Sequence, residues 1–367
     1  SRASAQKHAE RQRYSATRGR GGDSLSRRGE TASNSVPHPS EPGYFHRITE
    51  LHNLNRLWFR TKQSRSLRPR YVKFNLRRLH YLSIIQARLR EGQFEFGPYQ
   101  YFWVQEKSRR SIANAPLKDR VVQWMLYEHL IGHWSRRFIY DSFGNLPGKG
   151  THAAVKRVAG WARKTSLPYA LQIDVSKFFP SIQHHYLKQI VLRREGNHAI
   201  RELLISLIES FQTGNEFDHL FPDDHPYRKT VDKGLPSGNL SSPTLANIYL
   251  NEFDHWVKEV LRFKHYMRYV DDLIFFSDSK EELHKVKDLV LAELLRYGLS
   301  ANPHKIAIRR VKDGIPYLGY VVWPNHISAG KYVRKKYGRL LRRSEGRDVT
   351  LSRASYQGIF KHTGPTR

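Results

Sequence analysis

Tyr266-Met267-Arg268-Tyr269-Val270-Asp271-Asp272-Leu273-Ile274-Phe275-Phe276 is the stretch that decides how this chain reads. Two short runs of mostly apolar and aromatic residues flank a pair of adjacent acids. Runs this short, with charge between them, read as strands rather than helix. The spacing predicts Tyr266–Tyr269 and a second strand over 273–276, joined as a hairpin through Val270-Asp271-Asp272. Two neighbouring carboxylates at a hairpin tip repel each other and cannot enter an apolar core. Either the tip is a solvated acidic turn, or a cation sits between the acids.

A second acid bears on that choice. Ala170-Leu171-Gln172-Ile173-Asp174-Val175 predicts another strand with Asp174 close to its end, followed by Phe178-Phe179-Pro180. A charge beside a buried strand end needs a partner, and a metal ion is one candidate. Elsewhere the pattern predicts a helix over 76–89 with Leu76, Leu79, Leu82, Ile85 and Leu89 on one face, and a strand over 99–105. Further helices are predicted over 119–131, with a stripe of Val122, Met125, Leu126 and Leu130, then over 200–211, 242–261 and 281–297, the last closed by Gly298. A further strand is expected over 317–322. Strands with intervening helices indicate an α+β fold with helices packed on a sheet.

Composition narrows the partners. The chain of 367 residues carries 63 Lys and Arg against 33 Asp and Glu, a formal charge of +30. That excess repels itself unless a polyanion offsets it, so nucleic acid is the first partner to consider. With no cysteine, disulfides and thiolate metal sites are excluded, and none of the 19 His falls in a His-Glu-x-x-His pattern. No apolar run reaches the roughly 18 residues that span a bilayer. No apolar core of a signal peptide is visible, so the expectation is a soluble, cytoplasmic protein without a membrane partner.

Residues 1–43 are rich in Ser, Arg, Gly and Pro and predict a disordered basic arm, because they cannot bury enough surface to offset ordering. Two basic clusters follow. Residues 60–78 carry Arg68 and Arg70 among many cations and no acid, with Trp58, Tyr71 and Phe74 expected as stacking surfaces for bases. Residues 331–347 include Lys331, Lys335, Lys336 and Arg339, expected on one nucleic-acid-binding helix.

Read in order, the motifs resemble those of bacterial retroelement reverse transcriptases. They run through Lys107-Ser108-Arg109-Arg110-Ser111-Ile112, Lys118-Asp119-Arg120-Val121-Val122-Gln123 and Ser142-Phe143-Gly144-Asn145-Leu146-Pro147-Gly148-Lys149-Gly150-Thr151-His152. Asp174 with Phe178-Phe179 follows, then Gly234-Leu235-Pro236-Ser237-Gly238-Asn239-Leu240-Ser241-Ser242-Pro243, the tip at Tyr269–Asp272, residues 298–305, and Tyr317-Leu318-Gly319-Tyr320. The style of Gly148–His152 and Gly238–Ser242 is similar to that of diversity-generating retroelement enzymes. Pro243, where those enzymes usually carry Gln, is shared with group II intron enzymes. Leu146 stands where most relatives place Arg, and Ser237 where retroviral and intron enzymes place Gln.

The resemblance implies a right-hand polymerase: 44–170 N-terminal helices and fingers, 171–323 a ferredoxin-like palm, and 324–367 a short basic thumb. It implies RNA-directed DNA synthesis, error-prone if the diversity-generating likeness holds. A defence enzyme copying a non-coding RNA and a maturase-like RNA-binding protein are the alternatives. Asp174, Asp271 and Asp272 are the expected catalytic residues, and with Val175 they form the set for two Mg²⁺ ions, which favour oxygen ligands. Lys107, Arg110, Phe179, Ser237, Gly238 and Lys305 are expected at the nucleotide, with Phe179 as the wall beneath the sugar. Implied partners are an RNA template and primer, the RNA–DNA hybrid, dNTPs, and an accessory protein or non-coding RNA.

Overall fold

Strands β4 (Tyr169–Asp174) and β6 (Asp272–Ser277) lie antiparallel with Asp174 directly opposite Asp272. They are the centre of the fold. The computed structural model describes residues 43–63, 65–105, 109–211, 231–342 and 349–365, so the expected arm over 1–43 lies, but for Gly43, outside the described residues. On one side of the central pair, β5 (Tyr266–Tyr269) joins β6 antiparallel and the short β3 (Ser142–Phe143) joins β5 in parallel. On the other side β7 (Ala307–Arg310) pairs with β4, giving a five-stranded order of β3-β5-β6-β4-β7.

This sheet is covered on both faces, which is why 273–276 is an unbroken apolar run rather than an alternating one. Leu171, Ile173, Leu273 and Phe275 face the larger core. That core is built with α5 (Leu117–Trp134), α8 (His184–Arg194), α9 (His198–Glu209), α10 (Ser242–Tyr249), α11 (Asn251–His255) and α12 (Lys280–Arg296). Ala170, Met267, Ile274 and Phe276 face a second core with α6 (Thr151–Ala162) and the hairpin of β8 (Ile315–Tyr317) and β9 (Tyr320–Val322). Because strand side chains alternate with period two, Asp174 and Asp272 fall on this second face.

The helix α12 starts at Ser279, whose hydroxyl accepts from Glu282 N–H, and stops at Gly298 with φ +66°, the left-handed closure that the sequence predicts. The stripe of Val122, Met125, Leu126 and Leu130 on α5 is fully buried, as expected. N-terminal to the sheet are α1 (Tyr44–Ile48), α2 (Leu51–Lys62), α3 (Pro69–Leu76), α4 (Arg78–Arg90), and a hairpin of β1 (Gln100–Gln105) with β2 (Arg109–Asn114). Towards the C-terminus, β10 (His326–Ala329) and β11 (Gly364–Pro365) extend the β8–β9 hairpin to a four-stranded sheet, beside α13 (Lys331–Arg342) and α14 (Thr350–Phe360).

Four expectations are corrected. The helix over 76–89 breaks at Arg77, leaving Leu76 at 80% and Leu79 at 56% exposure while Leu82, Ile85 and Leu89 are buried, so only the second half of the stripe meets a core. The helix over 242–261 is three consecutive pieces, interrupted at Leu250 and ending in a π-helical turn over Trp256–Val260, where the wider turn keeps Val257 under cover. The strand over 317–322 is a hairpin instead. Leu318 (φ 46°) and Gly319 (φ 87°) form its two-residue turn, the left-handed pair that matches strand twist. Finally, Trp58, Tyr71 and Phe74 are buried and stack on one another, with Trp58 and Phe74 centroids 4.1 Å apart, so they pack α2 against α3 rather than meet bases. Among the described residues, no helix is long and apolar enough to cross a membrane.

Candidate active site

The acids converge where chain ends meet. β4 delivers Asp174 at its last position, and the β5–β6 turn delivers Asp271 and Asp272 beside it. Val175 N–H donates to the Asp271 carbonyl at 3.0 Å, tying the two segments together one residue past the paired strands. A third segment closes the site: Ser176 N–H donates to Ser300 O at 2.7 Å and Asn302 N–H to Asp174 O at 2.8 Å. Asn302 then caps a single 3₁₀ turn, Pro303–Lys305, that aims Lys305 back at the acids.

Lys305 Nζ donates to both carboxylate oxygens of Asp174, at 2.9 and 2.8 Å. The Asp174 side chain is only 14% exposed, whereas that of Lys305 is 58% exposed. The lysine pKa is raised, first by its hydrogen bond to Asp174, against the cost of desolvation, and then by the charges of Asp174, Asp272 and Asp271. All three acids therefore act on one ammonium. The donor set is carboxylate oxygen, which suits Mg²⁺. Among the described residues, no three His, Asp or Glu side chains already enclose a metal position. Such a site fits an ion that completes its shell with water and substrate phosphate, as Mg²⁺ does.

The turn that presents the acids is strained. Val270 has φ 56°, a left-handed conformation that costs a β-branched residue roughly 1–3 kcal/mol. It is held from the helix-bearing face by a buried network. Arg268, fully buried, donates from Nε and Nη2 to the two oxygens of Asp254 at 2.9 and 2.6 Å, from Nη2 also to Ser142 Oγ at 3.2 Å, and from Nη1 to Asn247 Oδ1 at 2.9 Å and Val270 O at 3.0 Å. Asn247 Nδ2 donates to Gly144 O at 2.8 Å, and Val270 N–H donates to Phe143 O at 3.2 Å. A Cβ on Gly144 would lie 2.5 Å from Val270 Cγ2, so only glycine fits there. Sequence reading missed Arg268, Asp254 and Asn247; the available signal was a charged residue inside an otherwise buried strand.

The other expected residues form a chain of contacts leading away from the acids. Phe178 is buried and Phe179 half-buried on a short turn of helix, α7 (Phe178–Ser181), and Leu235 N–H donates to Phe179 O at 2.8 Å. The loop from Leu235 reaches Ser237, whose carbonyl accepts from Ala113 N–H of β2 at 2.9 Å. Gly238 (φ +96°) packs its α-carbon on Ile112, since a Cβ there would lie 2.6 Å from Ile112 Cγ2. Arg110 belongs to β2, opposite Val104; its side chain and all of Lys107 lie outside the described residues. Tyr317, on β8, is buried, and its hydroxyl has no hydrogen-bond partner among the described residues.

The basic clusters differ from each other. On α13, Val333 and Tyr337 turn inward, Tyr337 meeting Tyr356 and Phe360 of α14, while Lys331, Lys335, Lys336 and Arg339 are all exposed on the outer side. Arg68 and Arg70 are also exposed. Arg60, by contrast, is taken up with Arg56 in ion pairs to Glu128 of α5, an acid that the linear segment does not contain.

Residues 104–322 match the family model described as reverse transcriptase (RNA-dependent DNA polymerase). The chain is 24% identical over 279 residues to protein YkfC of Escherichia coli, covering 65% of this chain and 70% of that one. It is 27% identical over 184 residues to the group II intron-encoded protein LtrA of Lactococcus lactis, covering 48% and 28%. It spans 34% of the putative COX1/OXI3 intron 2 protein of Saccharomyces cerevisiae. The telomerase of Candida albicans in complex with a fragment of telomeric RNA superposes with TM-score 0.48 at 12% identity, over 69% of this chain and 52% of that one.

Proposed function

Because the chain belongs to the reverse transcriptase family, we propose that it extends a primer by copying an RNA template into DNA. The observation that supports this most directly is the pairing of Asp174 with Asp272 across β4 and β6, with Lys305 bound to Asp174. In this reading Asp174, Asp271 and Asp272, with Val175 beside them, would hold two divalent ions, which would supply Lewis-acid activation of a 3′ oxygen and charge neutralisation at the pyrophosphate. Lys305 leaves Asp174 for the triphosphate, Phe179 lies under the sugar, and Lys107 and Arg110 hold phosphate oxygens. The five-stranded sheet is the palm, the β1–β2 hairpin the fingers, and α13 with α14 the thumb, whose outer cations track the nucleic-acid backbone. Replacing Asp271 by Asn tests the reading. Primer extension on RNA should fall to a few per cent or less while RNA affinity persists, and retained extension would overturn the assignment.

Within the family we place the chain beside the mutagenic, diversity-generating enzymes on the style of Gly148–His152 and Gly238–Ser242. Ser237 supports that placement because it is shorter than the Gln of intron enzymes and makes a looser wall for the nascent pair. Error spectra of the parent and Ser237→Gln on one RNA template decide it; equal error rates with activity retained sink the subgroup and leave the polymerase reading intact.

A further inference from the structure

All five N–H donors of Arg268 are used, and they divide into two groups. Three go to Asp254 and Ser142, which fix the guanidinium in the core. The other two go to Asn247 and to the carbonyl of Val270, the left-handed residue immediately before Asp271. Asn247 carries the restraint onward to Gly144, the residue whose missing side chain makes room for Val270. Nothing about holding helix to strand requires the second group. A bidentate Arg–Asp pair with both partners at 0% side-chain exposure already joins α11 to β5. Of the surplus contacts, one reaches the turn directly at Val270 O, and the other reaches it through Asn247 of α10, which bonds Gly144 O.

The sheet separates this network from the acids. Arg268 shares the helix-bearing face with Tyr266 of the larger core, whereas Asp272 shares the opposite face with Ile274 and Phe276. Arg268 therefore acts on Asp271 and Asp272 through the backbone, without contact with anything bound above them. We propose that Arg268 and Asn247 are positioning residues: they hold Val270 in its left-handed conformation and so set the direction in which Asp271 and Asp272 leave the turn. The inference rests on the reading of those acids as the cation-holding pair.

A lysine cannot replace the arginine, because its three donors on one nitrogen cannot span Asp254, Asn247 and the Val270 carbonyl together. Asn247→Ser is the gentler variant: it keeps the Arg268–Asp254 pair and loses the bridge to Gly144. Both variants, the parent and Asp271→Asn are compared as full-length protein on a primed RNA template. Readouts are melting temperature, RNA affinity, KM for dNTP, single-turnover extension rate, and Mn²⁺ affinity by electron paramagnetic resonance. For Asn247→Ser the expected result is an extension rate at least tenfold lower and weaker Mn²⁺ binding, with KM and RNA affinity within about twofold of the parent. Arg268→Lys should fall further.

An Asn247→Ser protein with parental rate and Mn²⁺ affinity overturns the proposal, and so does one that loses melting temperature, RNA affinity and rate together, as a merely structural residue would. If Arg268→Lys does not fold, Asn247→Ser alone decides. Retained extension by Asp271→Asn would instead defeat the underlying reading of the acids, so the two failures are distinguishable.

Discussion

The ammonium of Lys305 bridges both oxygens of Asp174, 2.8 and 2.9 Å away, across a separation of 131 residues in the chain. On the proposed two-ion reading it occupies a place that an ion would take, and it would have to yield that place when the ion binds. Substituting Lys305 by Gln should therefore raise Mn²⁺ affinity. The gain is at most about fivefold, because the lysine is largely exposed and such pairs are worth up to about 1 kcal/mol. Nucleotide addition should fall by at least about tenfold, since a hydrogen bond from this lysine to a charged triphosphate is worth about 1.5–3 kcal/mol. Weaker Mn²⁺ binding in a titration followed by electron paramagnetic resonance would contradict the first half.

Phe179 is half-buried beside the fully covered Phe178, with ring centroids 5.7 Å apart. Trimming Phe179 to Ala should leave the core standing, because Phe178 carries the packing. Ribonucleotide insertion should rise relative to deoxyribonucleotide insertion by about tenfold or more in single-nucleotide assays, and an unchanged ratio would make Phe179 only a packing residue.

Reversing the charge of Lys335, Lys336 and Arg339 on α13 should weaken binding to any RNA. Each lost phosphate contact removes about 0.7–0.9 from the slope of log affinity against log salt, so the slope should fall by about two to three. Tyr337 keeps the inner side of the helix packed, so the fold should survive. A parental slope would place the nucleic acid on another face.

Asp119, buried at the start of α5, has its carboxyl pushed up to about 6, chiefly by burial and against the hydrogen bond from Gly97 N–H and the nearby Lys118. A raised carboxyl binds more protons folded than unfolded between its ordinary range near 4 and about 6. Its stabilising contribution is thus complete below that window and is lost as pH rises through about 6. Asp119→Asn keeps an acceptor for Gly97 and removes the charge. The variant should be more stable than the parent at pH 7–8, by at most about 3 kcal/mol, with the gap closing towards pH 4. Urea melts at several pH values check it; a gap that widened on acidification would reverse the sign.

How much of this was legible beforehand depended on range. The hairpin at Asp271 and Asp272, the strand ending at Asp174 and the helix closed by Gly298 are local, and each has a local cause in period, charge or a left-handed glycine. Exposure was less legible. The sequence stripe from Leu76 to Leu89 splits at Arg77, and Trp58, Tyr71 and Phe74 disappear into a core. Aromatic residues among cations look alike whether they face water or their neighbours, and only packing distinguishes them.

By itself the sequence carried the family, through motifs in order from Lys107 to Tyr320, and residues 104–322 match the reverse transcriptase model. Its charge of +30 made a polyanion the first partner to consider. Tertiary structure alone decided which groups serve Asp174, Asp271 and Asp272. Lys305 reaches Asp174, Ser142 and Asn247 reach Arg268, and Gly144 yields to Val270 only because distant segments meet at one end of the sheet's strands. Each of those contacts depends on a side-chain direction, and direction at a strand end is set by the register of the paired strand. No periodicity in the chain encodes that register; the packing of both cores against the sheet fixes it.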